Sequence, residues 1–265
     1  MGVTPADLVT AASGGLVGFI LALIGGGGSV LAVPLLVYVV GVRSPHIAIG
    51  TSSIAVAISA LANMLSHWMA GNVRWGCALV FSAAGIGGAF AGSTIAKQID
   101  GQKLLLLFGL LMILIGVLMS RRRGGGGDPM VKLTRANAKA MLPRLIGTGL
   151  AVGLLAGFFG IGGGFLIVPG LILATRMPLT AAIGTSLVAV FAFGVSTATS
   201  YALSGLIDWR LAGIFIGGGL AGGLVGIAVG KLLGTRDKAL RGVFSAVVVV
   251  AGLYVCYRGA TSLML

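Results

Sequence analysis

Long apolar runs follow one another along almost the whole chain, separated by short polar stretches. A helix of about 20 apolar residues crosses a hydrocarbon core of roughly 30 Å, and the runs have about this length. The expected fold class is therefore an all-α polytopic membrane protein. The predicted spans are Leu8–Tyr38 (interrupted), Ile47–Met69, Trp75–Ala96, Leu104–Ser120, Leu145–Ala174 (interrupted), Thr180–Leu203, Leu211–Leu232 and Leu240–Cys256.

The two interruptions are clusters of glycine inside otherwise apolar runs. The first is GGGGS at 25–29 and the second is GIGGG at 160–164. Because each glycine in a helix interior costs roughly 1 kcal/mol relative to alanine, these clusters predict broken helices. Backbone without helical hydrogen bonds is tolerated at membrane depth only where protein surrounds it or water lines it. We expect one half-helix to begin near Ser29 and another near Gly164.

The glycine clusters belong to a unit that occurs twice. The pattern Gly-x6-Gly-x-Gly-Gly-x5-Pro begins at Gly18 and again at Gly153, and a Gly-Thr-Ser triplet follows at 50–52 and at 184–186. The order continues with Gly71 and Gly205, Trp75 and Trp209, Gly88 and Gly222, Gly92 and Gly226, and Lys97 and Lys231. This ordered series predicts two homologous repeats, each with a glycine-broken hairpin segment and three transmembrane helices.

A basic segment joins the repeats. The first repeat is assigned to residues 1–120, the linker to 121–144 and the second repeat to 145–265. The linker carries seven of the eighteen Lys and Arg residues, which favours a cytoplasmic position. Its stretch MVKLTRANAKAML, at 130–142, is interpreted either as a short helix in the headgroup region or as a solvated linker.

The basic residues also discriminate between parallel and inverted repeats. If each broken segment crosses once, the repeats are parallel, with ten Lys and Arg residues inside and eight outside. If each segment goes in and comes back, the second repeat is inverted, with thirteen inside and five outside. The second distribution obeys the positive-inside tendency better, so inverted repeats are predicted, with both termini opposite the linker. The broken segment itself is either a re-entrant hairpin or two short spans.

Broken segments at matching positions of inverted repeats mark the substrate site of many secondary transporters. A helix N-terminus offers unpaired amide N–H groups and the positive end of the helix dipole, which together hold a small anion. Hydroxyls of the triplets would add donors, although close packing of small residues explains the same triplets. The predicted substrate-binding residues are Gly26, Gly27, Gly28, Ser29, Thr51, Ser52, Gly162, Gly163, Gly164, Thr185 and Ser186.

Three polar residues within predicted spans are candidates for lining a cavity or carrying a coupled proton. Asn63 and His67 are four apart and share a helical face, and Tyr201 matches His67 in the second repeat. Polar side chains within spans often face a cavity, and histidine titrates near neutral pH. An interhelical hydrogen bond explains these residues equally well.

Other small residues in the spans are assigned to packing. The Gly-x3-Gly pairs at 88–92 and 222–226 let two helix backbones approach closely. Cys77 and Cys256 are interpreted as core thiols outside any disulfide or metal site, because both lie in predicted spans.

Composition narrows the possible functions. The chain is 57% hydrophobic and 9% charged, with a formal net charge of +13. Such a charge would indicate nucleic acid in a soluble protein, but here the basic residues collect at span ends and in the linker. The expected partners are the lipid bilayer, a small anionic substrate and a coupling proton or ion, and not nucleic acid. No Walker loop, metal-ligand cluster or nucleophile–base pair is evident, so catalytic residues, metals and cofactors are not expected.

Several motifs in this chain, each present twice, resemble those of the sulfite exporter TauE/SafE family of membrane permeases. They are the glycine cluster with its following proline, Ala-x-Gly-Thr-Ser, and a Gly-x-(Val/Ile)-x-Trp turn. The resemblance extends from Gly14 to about Arg258 and departs at Ser29, which replaces the last glycine of the first cluster. It implies transport of a small sulfur-containing anion, such as sulfite or an organosulfonate, across the bacterial cytoplasmic (inner) membrane.

Two other functions stay open at this point. A passive channel for small anions would use the same broken helices without a coupling ion. A non-transporting membrane protein for binding or assembly would use the glycines for packing alone. The sequence specifies neither the exact substrate, nor the transport direction, nor the oligomeric state.

Overall fold

The computed structural model describes residues 4–121, 133–134, 137–160, 164–233 and 237–264, and helices dominate this part of the chain. The first half contains α1 (Pro5–Ile24), a 3₁₀-helix (Gly25–Leu31), α2 (Ala32–Pro34), a π-helix (Leu35–Val39), α3 (Pro45–Met69), α4 (Trp75–Ala96) and α5 (Gly101–Arg121). The second half contains α6 (Ala138–Phe159), α7 (Gly164–Thr175), α8 (Leu179–Ala202), α9 (Trp209–Leu233) and α10 (Asp237–Met264). The predicted all-α fold class is confirmed.

Polar and glycine residues at the span ends start the helices. Ser44 caps α3, because its hydroxyl accepts a hydrogen bond from the Ile47 amide at 3.4 Å, and Pro45 occupies the first turn, where its missing N–H is not needed. Trp75 and Trp209 begin α4 and α9. The glycine four residues before each tryptophan has a positive φ, 71° and 68°, which favours glycine.

Two helix pairs cross at glycine faces that bring backbone against backbone. Helix α1 packs against α9, and α4 packs against α6. In each pair, a helix of the first half therefore packs against a helix of the second half. A Cβ atom on Gly88 or Gly92 would collide with the α6 backbone. A Cβ atom on Gly222 or Gly226 would collide with the α1 backbone in the same way. The predicted packing role of these glycines is confirmed.

Helices α3 and α8, which are matched in the two repeats, pack against each other and are the most buried of the candidate spans. Gly194 of α8 lies against Ala57 of α3, whereas Gly50, earlier in α3, lies against Tyr201, later in α8. The two helices therefore run antiparallel. Glycine contacts between α5 and α10 give the same direction for that matched pair. Antiparallel packing of matched helices supports inverted repeats, which stay a prediction.

The lengths and surfaces of the helices are those of a multi-pass membrane protein. Six described helices are long and apolar enough to cross a membrane, namely α1, α3, α4, α6, α8 and α9. Large apolar side chains such as Leu79 and Leu224 are 59% and 70% exposed, as expected for a lipid-facing surface. Shorter apolar helical stretches are Gly28–Val39, Gly101–Val117, Gly164–Thr175 and Ser245–Gly259.

The second repeat becomes helical earlier than the sequence predicted. Helix α6 begins at Ala138, inside the segment assigned to the linker, so Lys139 and Arg144 are helical. Alanine, lysine, methionine and leucine are strong helix formers, which explains the extension. Of the possible headgroup helix at 130–142, residues 130–132 and 135–136 lie outside the described residues, and residues 138–142 belong to α6. Cys77 is buried, as predicted for a core thiol, whereas Cys256 is only half-buried, and both thiols are free.

Candidate functional site

At the second glycine break, α6 ends at its capping residue Gly160, and the next described helix is α7. Gly160 has a left-handed φ of 64°, and its amide donates to the carbonyls of Ala156 and Gly157, which closes α6. A Cβ atom here would collide with the Ile49 side chain of α3, so both the backbone angle and the space require glycine. Helix α7 begins at Gly164, where the sequence predicted a half-helix.

Helix α3 of the first half holds the second break in place. The hydroxyl of Ser53 lies 2.7 Å from the Ile49 carbonyl oxygen and 3.2 Å from the Gly160 carbonyl oxygen. Ser53 directly follows the first Gly-Thr-Ser triplet. The break of one repeat therefore lies beside the triplet of the other.

The chain stays helical through the first break, but the type of helix changes twice, from 3₁₀ to α and from α to π. A 3₁₀-helix covers Gly25–Leu31, α2 adds three residues, and a π-helix covers Leu35–Val39. An apolar helical stretch does begin near Ser29, at Gly28, but Ser29 itself lies inside the 3₁₀-helix and the α-helix begins only at Ala32. In a 3₁₀-helix side chains at i and i+3 eclipse, and consecutive glycines avoid this crowding. Tight winding therefore replaces the open break that the sequence predicted.

The 3₁₀-helix of the first break also packs against the second half, on α7 and α8. A Cβ atom on Gly28 would lie 2.5 Å from the Leu21 amide nitrogen, so this glycine packs tightly on the end of α1. Ser29 is fully buried and has a bonding partner. Each break therefore contacts helices of the opposite repeat.

The predicted glycines divide between described and undescribed parts of the chain. Gly26, Gly27 and Gly28 belong to the 3₁₀-helix, and Gly164 is buried in the first turn of α7. Gly162 and Gly163 lie outside the described residues.

The threonines of the two triplets bind the backbone of the opposite half. The Thr51 hydroxyl accepts a hydrogen bond from the Asp208 amide at 3.0 Å, and the Thr185 hydroxyl accepts one from the Arg74 amide at 3.0 Å. Both threonines are fully buried. Asp208 and Arg74 directly precede the matched tryptophans that begin α9 and α4. We call these two bonds the threonine clasps.

The glycine of each triplet fits the same contact. A Cβ atom on Gly50 would collide with the Leu206 carbonyl, and one on Gly184 would lie 2.9 Å from the Asn72 carbonyl oxygen. Leu206 and Asn72 belong to the turns that the clasps hold. Close packing thus accounts for the glycine and the threonine oxygen of each triplet.

The serines of the triplets donate to their own helices. Ser52 Oγ donates to the Ile49 carbonyl at 3.1 Å, and Ser186 Oγ donates to the Ile183 carbonyl at 2.7 Å. A hydroxyl has only one hydrogen, so each serine would have to rotate before it donated to an anion. The clasps, by contrast, use a lone pair of each threonine rather than its hydrogen.

The three other polar candidates occupy different surroundings. Asn63 is buried and donates to the Ser59 carbonyl at 2.9 Å, within its own helix. His67 Nδ1 and the Tyr201 hydroxyl are buried atoms without a hydrogen-bond partner among the described residues. Because α3 and α8 are antiparallel, His67 and Tyr201 lie at opposite ends of this pair.

Lys97 is a residue that the sequence analysis noted only as part of the repeat. Its side chain leaves the end of α4 and reaches α8, where Nζ donates to the Ser200 carbonyl and the Ser204 hydroxyl, each at 3.0 Å. The same ammonium lies 5.8 Å from the centre of the Tyr201 ring. The sequence signal that could have identified Lys97 is its match with Lys231 in the second repeat. This match marks the position as shared by the repeats, but it does not show which residues the ammonium group contacts.

The described residues limit the chemistry of a ligand site. None of them forms a cluster of His, Cys, Asp or Glu able to hold a metal ion, and none of the fully buried ones is charged. A cavity of about 230 Å³ lies at the start of α4, lined by residues 73–77 and Leu133. In this part of the chain a buried anion would depend on backbone amides and hydroxyl groups.

Comparisons with known proteins agree with this architecture. A family model described as Sulfite exporter TauE/SafE matches residues 10–255. The chain is 49% identical over 257 residues to a probable membrane transporter protein of Xylella fastidiosa strain Temecula1, with 97% of each chain covered. It is 26% identical over 270 residues to the probable membrane transporter protein YunE of Bacillus subtilis, with 93% of this chain and 96% of YunE covered. No solved structure matches the chain.

Proposed function

The chain is a membrane transporter that belongs to the sulfite exporter TauE/SafE family, and we propose that it transports a small sulfur-containing anion such as sulfite or an organosulfonate. The anion binds near the membrane midplane, between the two glycine breaks. The observation that carries this proposal is the packing of the first break's 3₁₀-helix against α7, whose N-terminus begins at Gly164.

Backbone amides are the main donors of the proposed site. The first amide groups of a helix have no partner inside it, and the helix dipole adds partial positive charge at the same end. Helix α7 is 12 residues long, begins with glycine, and is buried at that end. Glycine carries no Cβ, so an anion approaches the backbone closely. The lack of fully buried charges among the described residues supports a site made of amides and hydroxyls.

The threonine clasps suggest how the site opens to each side in turn. Each clasp ties one end of the α3–α8 pair to a turn of the opposite repeat. In transporters built from inverted repeats, one repeat rocks against the other around a fixed site. We infer that one clasp opens while the other stays closed, and that His67 and Tyr201 line the two routes to the site. The chain acts as a transporter rather than as an enzyme.

Reconstitution of the purified protein into liposomes tests this function. The panel contains sulfite, thiosulfate, sulfate, organosulfonates and carboxylates, each offered with and without a proton or sodium gradient. The proposal expects accumulation of a sulfur oxyanion against its own gradient, in preference to carboxylates. Flux of these anions only down their gradients would identify a passive channel, and no flux at all would contradict the proposal.

A further inference from the structure

We propose that Lys97, Tyr201 and His46 form a second oxyanion site, through which the transported anion passes between the second break and one membrane face. The inference rests on the proposed function, because it assumes that an anion is transported. It assigns a ligand role to a lysine that belongs to neither glycine cluster and to neither triplet.

Among the described residues, no carboxylate pairs with the ammonium group of Lys97. The one ion pair in the described part of the chain joins Arg210 to Asp7. The carboxylates of Asp100 and Asp208 accept hydrogen bonds from backbone amides at the starts of α5 and α9. The Ser200 carbonyl oxygen and the Ser204 hydroxyl oxygen accept hydrogen bonds from Lys97 Nζ, and neither oxygen is charged. A partly buried cation of this kind attracts an anion.

Among the described residues, those next to this ammonium carry buried polar atoms that have no hydrogen-bond partner. Tyr201 is fully buried, yet its hydroxyl has no hydrogen-bond partner among the described residues, and the same holds for the Ser200 hydroxyl and for His46 Nδ1. The His46 ring lies 6.4 Å from the Tyr201 ring, centre to centre. Buried polar groups are nearly always paired, so several unpaired ones on residues near one cation indicate a ligand that accepts hydrogen bonds. A small oxyanion has this chemistry.

The cluster lies one helical turn from the second break. On α3, Ile49 contacts Gly160 of the break, and the next residue, Gly50, contacts Tyr201. His46 lies about one turn earlier on the same helix, towards its start. Tyr201 and His46 therefore both lie within about one helical turn of the break along α3.

Helix capping explains part of the cluster but not all of it. A lysine beside the last carbonyls of a helix interacts favourably with the helix dipole, and Lys97 does this at the end of α8. Capping gives no reason for a fully buried Tyr201 hydroxyl without a partner. Removal of this hydroxyl therefore separates the two roles, because its loss leaves the cap intact.

The test uses Tyr201→Phe and Lys97→Gln, with Tyr257→Phe and Lys103→Gln as controls. Sulfite affinity is measured by titration in detergent, and flux is measured in liposomes with sulfite offered at one face at a time. We expect both site variants to bind sulfite about tenfold more weakly, as for a lost hydrogen bond to a charged group. The half-saturating concentration should rise mainly for sulfite offered at the face nearer Lys97. Tyr201→Phe should unfold at the same temperature as the wild type or higher.

The other possible outcomes distinguish a failure of this inference from a failure of the proposed function. If the wild type transports sulfite and both site variants match it, this inference fails while the proposed function stands. If the wild type itself neither binds nor transports any anion, the proposed function fails. A defect that occurs only in liposomes containing phosphatidylglycerol would assign the oxyanion to a lipid headgroup and overturn the role in transport.

Discussion

The two glycine breaks share a sequence pattern but differ in structure. At the second break, α6 ends in a left-handed glycine and a regular α7 begins at Gly164. At the first break, the chain passes from a 3₁₀-helix through a short α2 into a π-helix. The two prolines at matching positions also differ in where they lie in their helices. Pro169 lies inside the regular α7, whereas Pro34 ends α2 just before the π-helix.

This difference shows that the glycine pattern locates a break without specifying its geometry. Position 161 is isoleucine where the first cluster has Gly26, and position 164 is glycine where the first cluster has Ser29. Four consecutive glycines allow tight 3₁₀ winding, since none of them has a side chain to eclipse. The second break therefore supplies a helix N-terminus, and the first supplies a glycine-rich 3₁₀-helix that packs against α7.

Gly160→Ala should have the largest effect, because Gly160 is a residue of the second break with a positive φ. A left-handed angle costs a non-glycine residue roughly 1–2 kcal/mol, and the new methyl group would also collide with Ile49. We expect most of the folded protein to be lost, measured as the monodisperse fraction after gel filtration in detergent. Gly147→Ala in the same helix is the control, because a Cβ atom there meets nothing within 4 Å. Normal folding of Gly160→Ala would contradict this description of the break.

The threonine clasps allow a comparison of the two repeats at matched positions. Thr51→Val and Thr185→Val keep the side-chain shape but leave a partly buried amide without its acceptor, so each should lower stability by about 1–3 kcal/mol. Thermal unfolding in detergent measures this effect, which should be similar in both repeats. Ser52→Ala and Ser186→Ala should change stability less. If Ser52 and Ser186 bind substrate, these two alanine substitutions should weaken anion binding by about 1–3 kcal/mol.

Stability losses at the serines as large as those at the threonines would support packing as the only role of the triplets. An unchanged stability of both threonine variants would show that the clasps contribute nothing to the fold.

Labelling of single cysteines tests whether the two breaks enter the membrane from opposite faces. This experiment perturbs the protein least. In a background with Cys77→Ala and Cys256→Ala, we expect cysteines at Thr4 and Thr261 to react with an impermeant reagent added outside the cell. A cysteine at Gly126 should react only after the membrane is opened. Reaction of a terminus from the same side as the linker would contradict inverted repeats.

The sequence predicts local features of the fold better than long-range ones. The starts of α3 at Pro45 and of α7 at Gly164 follow from capping and glycine signals within a few residues. The glycine run of the first break permits 3₁₀ winding, but it does not indicate that this segment packs against α7 and α8. The partner of Thr51 lies 157 residues away, so the clasp was not predictable from the triplet alone. Lys97 was missed as a candidate for the same reason.

The most direct test of the central claim is anion flux in proteoliposomes for Gly27→Ala and Gly163→Ala, normalised to folded protein. Gly126→Ala in the linker is the control, since it also removes a glycine from a GGGG run and restricts the unfolded chain equally. We expect severe loss of flux for both break variants, because the added methyl group either forbids the backbone angles or fills the site. We expect near-normal flux for the control. Near-normal flux and affinity in Gly27→Ala and Gly163→Ala would show that these glycines serve packing and that the anion binds elsewhere.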